Sequence, residues 1–159
     1  MNLRDYQQPA VIQKVLNYRS VAVVGLSSNH LRPSNFVGYY LKRHGYQMIP
    51  VNPREESILD CPSYPTLKDI PHQVDIVDVF RDPAAVPEIA TEAVAIGAKC
   101  LWLQFGVISE EGVRIAQDAG LDVVMDRCLK IEHARYIGRM HWLGFNTTNI
   151  SARRAKTFV

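Results

Sequence analysis

The chain has 159 residues, of which 47% are hydrophobic, and this length and composition are typical of one compact domain with a substantial core. Its formal net charge is only +2, and acidic residues are interspersed with the basic ones, so the sequence does not predict a nucleic-acid partner. The sequence has no apolar stretch long enough to cross a bilayer, and charges interrupt the N-terminal segment where a signal core would lie, so we expect a cytoplasmic protein that binds no membrane.

A central strand–turn–helix–strand unit is predicted in the first third of the chain. The β-branched run at residues 21–24 is typical of a strand buried on both faces of a parallel sheet, and Gly25 ends it. A turn rich in small polar residues follows, and Ser34 is the candidate N-cap of the next helix. That helix is expected to end at Gly45, and residues 48–51 re-enter the sheet.

Strands and helices alternate along the rest of the chain. Because right-handed crossovers join parallel strands, the alternation predicts a Rossmann-like, doubly wound α/β fold with a mostly parallel five-stranded sheet and helices on both faces. We expect a single domain over residues 1–159, with its core at about 10–137 and a basic, poorly patterned tail at 138–159. The other predicted elements are a helix at 9–18, a proline-rich loop at 53–71 with one helical turn at 67–70, strands at 74–80, 100–105 and 121–125, and helices at 84–95, 109–120 and 129–136.

The turn after the first strand is predicted to bind phosphate. A strand that turns on glycine into a helix N-terminus presents unpaired N–H groups and the positive end of the helix dipole to an anion. Ligands of doubly wound sheets lie beyond the carboxyl ends of the strands. The candidate positions are therefore the strand ends at 25–28, 52–54, 80–81, 104–106 and 126–128.

The turn departs from the dinucleotide fingerprint GxGxxG. It reads GLSSN from Gly25 onward, and the second strand ends in VNPR, without the acid that would hold the ribose of NAD. Arg54 at that strand end could neutralise a phosphate on the ribose, which fits NADP or coenzyme A better than NAD. Spacing alone leaves both of these ligands open.

Four motifs carry a family resemblance: VAVVGLSSNHLRPSNFVGYYLKRHGYQMIPVNP, VDIVDVF, WLQFGV and VVMDRCLKIEH. In this order, over roughly residues 10–137, the chain resembles the stand-alone coenzyme A-binding domain family, and it is similar to the amino-terminal domain of the succinyl-CoA synthetase alpha subunit. The phosphohistidine of that synthetase belongs to a later domain, so we expect no ligase chemistry here.

The resemblance implies that coenzyme A or an acyl-CoA is held by its nucleotide end. The pyrophosphate would lie over the glycine turn, and the adenine would lie near the end of the second strand. The predicted ligand-binding residues are those of the turn (Gly25, Ser27, Ser28, Arg32, Asn35), of the second strand end (Val51, Asn52, Pro53, Arg54), of the opposite wall (Val79, Phe80, Arg81) and of the pantetheine path (Gln104, Gly106).

Non-catalytic binding of coenzyme A is the expected function, because no complete catalytic constellation is visible. One alternative is a small NADP-dependent oxidoreductase, although the sequence has no Tyr-x-x-x-Lys pair and little room for a substrate domain. A second alternative is an interaction domain that has kept the fold and lost its ligand. A second copy of the chain or another protein stays open as a partner.

The cysteines and histidines are interpreted as structural. The three cysteines form no CxxC pair, which argues against a disulfide framework and a metal site. Cys128 would begin a helix, where the dipole lowers a thiol pKa, but a buried core cysteine is favoured. Glu132 and His133 are interpreted as a pair on a helix surface, with a place at the ligand mouth as the alternative. Trp142 and Phe145 are expected to cover an apolar surface of their own chain.

Overall fold

A five-stranded parallel sheet forms the centre of the computed structural model, which describes residues 1–138. In chain order the strands are β1 (Ser20–Val24), β2 (Gln47–Val51), β3 (Ser57–Ile58), β4 (Cys61–Pro62), β5 (Ile76–Val79), β6 (Cys100–Leu103) and β7 (Asp122–Met125). Strands β3 and β4 form an antiparallel hairpin, and the other five pair in parallel in the order β2-β1-β5-β6-β7. The predicted fold class is confirmed.

Helices cover both faces of this sheet. They are α1 (Pro9–Leu16), α2 (Pro33–Arg43), α3 (Val86–Ala95), α4 (Glu110–Asp118) and α5 (Leu129–Tyr136), with short 3-10 helices at Leu3–Tyr6, Leu67–Asp69 and Pro83–Ala85. Because successive strand residues point to opposite faces, the core divides into two clusters. Val24 and Val79 pack with α3 and α4, whereas Val23 and Trp102 pack with α1, α2 and α5.

The predicted elements occur in the predicted order, and several of them begin or end a few residues away from the predicted bounds. Helix α5 has the predicted bounds, and the helical turn in the proline-rich loop is present. The predicted helix at 84–95 is divided into a 3-10 turn and α3, which begins at Val86. The break has a local cause, because Pro87 has no N–H to donate and is tolerated only in the first turn of an α-helix.

Two local predictions are wrong. Ser34 is not the N-cap of α2, since the helix begins at Pro33 and Arg32 holds the cap position. Proline is favoured at the first helical position, which moves the start of the helix one residue earlier. The loop at 53–71 also contains the β3–β4 hairpin, whose turn is made by Leu59 and Asp60 with φ of 53° and 59°. The usual Asn-Gly turn signal is missing there, so the sequence did not indicate a hairpin.

The expectations about membrane spans, metal ligands and cysteines can be compared with the structure over residues 1–138. No helix within residues 1–138 is long and apolar enough to cross a membrane. In that same part of the chain, no group of three or more metal-ligating side chains occurs, and the three cysteines are free thiols. The predictions for the basic tail, including Trp142 and Phe145, lie outside the described residues.

Candidate ligand-binding site

The crevice lies where the strand order reverses. Strand β1 stands between β2 and β5, so the connections that leave β1 and β5 run to opposite faces of the sheet. In open α/β sheets such a reversal leaves a crevice beyond the carboxyl ends of the strands. Gly25, Asn52 and Phe80 are the first residues after these three strands, and they meet at this edge.

Gly25 satisfies two separate requirements at the mouth of the crevice. Its φ is +88°, in the left-handed region that favours glycine. A Cβ atom at this position would lie 3.0 Å from Cδ of Arg81 and 3.4 Å from the carbonyl carbon of Phe80. The turn therefore needs glycine both for its backbone conformation and for the close passage of the Arg81 side chain.

Side chains hold the turn in place. The Ser27 N–H donates to Oγ of Ser34 at 3.1 Å, and Nδ2 of Asn35 donates to the Ser27 carbonyl at 2.8 Å. From the neighbouring strand end, Nδ2 of Asn52 donates to the Leu26 carbonyl at 2.9 Å. Ser34 and Asn35 are buried, which makes them part of the scaffold of the turn.

One exposed N–H of the turn makes no internal hydrogen bond. Among the hydrogen bonds of residues 1–138, none has the backbone N–H of Leu26 or Ser28 as its donor, and of these two residues Leu26 is fully buried whereas Ser28 is exposed. The Ser28 hydroxyl donates to Oε1 of Glu55 at 2.5 Å, so this hydroxyl already faces a negative group. Helix α2 begins at Pro33, so the Ser28 N–H lies in the loop that precedes the helix and not in its first turn.

Two pockets adjoin at the mouth and share Gly25, Pro53 and Arg81. The first, which we call the apolar slot, has a volume of about 170 Å³. The second, which we call the polar basin, has a volume of about 360 Å³. The other residues of the slot are Val24, Val51, Pro65, Thr66, Leu67, Ala85, Glu88, Ile89 and Glu92, and those of the basin are Asn52, Arg54, Phe80 and Asp82.

The structure brings half of the predicted site residues to these pockets. The residues that line the slot or the basin are Gly25, Val51, Asn52, Pro53, Arg54, Phe80 and Arg81. Ser27, Ser28 and Asn35 line neither pocket: Asn35 holds the turn through the Ser27 carbonyl, and the hydroxyl of Ser28, a residue of the turn, binds Glu55. Arg32 is exposed at the start of α2, and Val79 is fully buried on the core side of the sheet.

Gln104 and Gly106 lie outside both pockets. Gln104 is only 3% exposed, and its Nε2 donates to Oδ1 of Asp78 at 2.7 Å. The Gly106 N–H donates to Oδ1 of Asp126 at 2.9 Å. Asp78 is fully buried, and this burial raises its pKa to about 8, against the smaller lowering effect of the Gln104 hydrogen bond. Its carboxyl group is therefore protonated at neutral pH.

Residues that the sequence analysis missed form the second wall of the slot. Leu67 and its neighbours come from the proline-rich loop, Ala85 comes from the 3-10 helix before α3, and Glu88, Ile89 and Glu92 come from α3 itself. The Leu67 N–H donates to Oε2 of Glu92 at 3.3 Å, which joins the loop to the helix. The only sequence signal was that this helix follows the predicted strand end at Phe80.

The end of β7 and the start of α5 are structural. Cys128 holds the N-cap position of α5, and burial raises the pKa of its thiol, which agrees with the core interpretation. Glu132 is fully buried and accepts from Arg135 at 2.8 Å, and His133 is 5% exposed. The predicted surface pair is wrong because α5 packs against α1 and α2. Neither residue lines the slot or the basin.

The chain is similar to several known proteins over most of its length. Residues 19–134 match the family described as the CoA binding domain. An uncharacterized protein of Bacillus subtilis, YneT, is 36% identical over 126 residues, which cover 79% of this chain and 93% of that protein. The solved structure of a hypothetical protein from Pyrococcus horikoshii has 36% identity and a TM-score of 0.83, and the match covers 87% of this chain and 98% of that one.

A longer relative is an enzyme. The ADP-forming acetate–CoA ligase II of Archaeoglobus fulgidus is 34% identical over 115 residues, which cover 71% of this chain and 17% of the ligase. The present chain thus corresponds to less than a fifth of that ligase.

Proposed function

The chain belongs to the CoA-binding domain family, and from this premise we propose that it binds coenzyme A, free or acylated, across the apolar slot and the polar basin without catalysing a reaction. One observation carries the proposal: an apolar pocket and a polar pocket adjoin at Gly25 and Arg81, beside a turn whose exposed Ser28 N–H donates no hydrogen bond within residues 1–138. A nucleotide has the same division into a flat, largely apolar base and a charged phosphate part.

The adenine belongs in the apolar slot. Its walls include Val51, Leu67 and Ile89, and such walls suit the faces of a purine ring. The planar guanidinium of Arg81 lines both pockets and can stack on the ring while it neutralises a phosphate.

The phosphates belong in the polar basin. The pyrophosphate would lie at the edge of the basin beside the turn and accept from the N–H and the hydroxyl of Ser28. Arg54 would bind the phosphate on the ribose, since it lies in the basin at the end of β2. The pantetheine would leave the basin toward the end of β6, past Gln104 and Gly106.

Binding without catalysis is proposed from the residues that line the two pockets. Within the described chain these residues include no serine, cysteine or histidine that could act as a nucleophile. The hydroxyl of Thr66, which also lines the slot, donates to Oδ2 of Asp69 at 2.8 Å.

Arg54 also favours a second candidate function, the small NADP-dependent oxidoreductase. A guanidinium at the end of the second strand suits the 2′-phosphate of NADP as well as the 3′-phosphate of coenzyme A. The two ligands differ beyond the pyrophosphate, where NADP needs a nicotinamide pocket and coenzyme A needs only an open path.

Calorimetric titration of the purified protein with coenzyme A and, in parallel, with NADP tests the proposal. Saturable binding of coenzyme A with no heat from NADP is the expected result. Preference for NADP would replace the binding module with the oxidoreductase, and reductase activity with NADPH would then be measured. Absence of binding by both ligands would contradict the proposal and support an interaction domain.

A further inference from the structure

The glycine turn already holds an anion, and that anion is part of the same chain. Glu55 lies between β2 and β3, and its Oε1 accepts the Ser28 hydroxyl at 2.5 Å. Its second carboxylate oxygen, Oε2, is buried and has no hydrogen-bond partner among residues 1–138. A carboxylate is thus held against the donor that a ligand phosphate would use.

The loop that carries Glu55 is joined to the turn by Asn52. The Arg54 N–H donates to Oδ1 of Asn52 at 2.8 Å, and Nδ2 of Asn52 donates to the Leu26 carbonyl at 2.9 Å. Both ends of the Asn52 amide are therefore used to hold residues 54–55 against the turn. The Glu55–Ser28 contact is built into the site by this link.

A carboxylate and a phosphate compete for the same place. Both groups are negative and accept hydrogen bonds, and the Ser28 hydroxyl has one proton to donate. The hydroxyl therefore cannot donate to both groups, and their charges repel each other. Because Glu55 is covalently attached to the loop, its effective concentration at the turn is high. Any ligand that places a phosphate on Ser28 must first displace Glu55, and its affinity is lowered by that cost.

We propose that Glu55 is an internal competing ligand of the glycine turn, and that its contact with Ser28 sets the affinity of the site for phosphate-bearing ligands. The identity of the physiological ligand rests on the proposed function, but the competition itself does not. Removal of the carboxylate should therefore strengthen ligand binding, the reverse of what is expected for an ordinary binding residue.

The test compares E55Q with the matched variant E56Q. Glu56 is the next residue, it is exposed, and its side chain makes no hydrogen bond or ion pair within residues 1–138, so E56Q makes the same charge change without touching Ser28. The probes are inorganic pyrophosphate, followed by NMR titration of the backbone amides, and coenzyme A, followed by calorimetry. Adenosine, which has no phosphate, serves as the ligand control.

E55Q is expected to bind pyrophosphate and coenzyme A about fivefold more tightly than the wild type, while adenosine affinity stays unchanged and E56Q shifts affinity by less than about twofold. The gain should shrink in the background of S28A, since the competition acts through that hydroxyl. A thermal melt of each variant shows that it is folded.

Two results would overturn the inference: a folded E55Q that binds pyrophosphate no better than the wild type, or an equal gain from E56Q. Its failure is distinguishable from failure of the proposed function. Coenzyme A binding with no gain in E55Q would remove only the role of Glu55. A pyrophosphate gain in a protein that never binds coenzyme A would remove only the ligand assignment.

Discussion

At the mouth of the crevice, Gly25 combines a left-handed backbone conformation with a close side-chain neighbour. Gly25 has a φ of +88°, and a side chain there would meet Arg81. Gly45 precedes β2, at the end of the strands away from the crevice. It has a φ of +84°, and nothing lies within 4 Å of a Cβ atom placed there. The two glycines share the same left-handed backbone conformation and differ in what lies next to them.

Alanine substitutions of these two glycines separate strain from site blockage. Gly45→Ala should lower the free energy of unfolding by about 1 to 2 kcal/mol, because it places a Cβ at positive φ, and Gly25→Ala should lower it by at least as much, because its Cβ also meets the Arg81 side chain. Only Gly25→Ala should also weaken coenzyme A binding, by tenfold or more. Urea unfolding and calorimetric titration measure the two effects. Wild-type affinity in a folded Gly25→Ala protein would contradict the proposed path of the pyrophosphate.

Arg54 is the second residue whose substitution tests the proposed ligand. Arg54→Ala should reduce the free energy of coenzyme A binding by about 1.5 to 3 kcal/mol if the guanidinium binds the ribose phosphate, and it should have little effect on dephospho-coenzyme A. Arg114→Ala, an exposed arginine of α4, is the control for lost positive charge. Equal losses for the two ligands would place Arg54 elsewhere on the nucleotide.

Among the elements, β5 carries a carboxyl group in the middle of the sheet. Asp78 of β5 lies in register between Val23 of β1 and Trp102 of β6, and the only hydrogen bond of its carboxyl group within the described chain comes from Gln104. Burial raises its pKa to about 8, so the folded protein holds a proton that the unfolded chain releases near pH 4.

The stability of the fold should therefore depend on the charge of Asp78. Between about pH 4 and pH 8 the folded state binds one more proton at this site, so its contribution to the free energy of unfolding falls by about 1.4 kcal/mol per pH unit as pH rises, and levels off above pH 8. Asp78→Asn keeps the acceptor for Gln104 and carries no titratable group. Urea unfolding at pH 5, 7 and 8.5 should show the variant gaining on the wild type as pH rises. Parallel pH profiles for the two proteins would refute the assignment.

In the whole molecule, the site is assembled from distant parts of the chain. The slot combines residues of β1 and β2 with Leu67 of the proline-rich loop and Ile89 of α3. A ligand in the slot and basin would contact all of these segments at once. Because it would bind the folded state and not the unfolded chain, it should stabilise the whole domain.

Thermal unfolding with ligand measures this linkage. Coenzyme A at a concentration of one hundred times its Kd should add about 2.7 kcal/mol to the free energy of unfolding and raise the Tm by roughly 5 to 10 °C. Pantetheine at the same concentration should leave the Tm unchanged, since it lacks the nucleotide that fills the slot. A similar shift from both compounds would indicate that the nucleotide is not the part that is held.

The sequence was most informative where structure is local. The bounds of α5 and the ends of α2 and β1 at glycines follow from periodicity and turn chemistry, which neighbouring residues determine among themselves. Three of the five strand ends named in advance, those after β1, β2 and β5, do line the pockets, because parallel strands end at one edge, whereas the ends of β6 and β7 do not. Predictions failed where a long-range contact was needed, as for the burial of Glu132 and His133 under α1 and α2.

By itself, the sequence determined the alternating α/β fold, the position of the glycine turn and the family, since β-branched runs, glycines and short motifs act over a few residues. Only the tertiary structure decided which side chains meet: that α3 closes the slot, that Gln104 turns inward to Asp78, and that Glu55 occupies the Ser28 hydroxyl. Those contacts depend on how elements far apart in the chain pack together, and no local pattern encodes that packing.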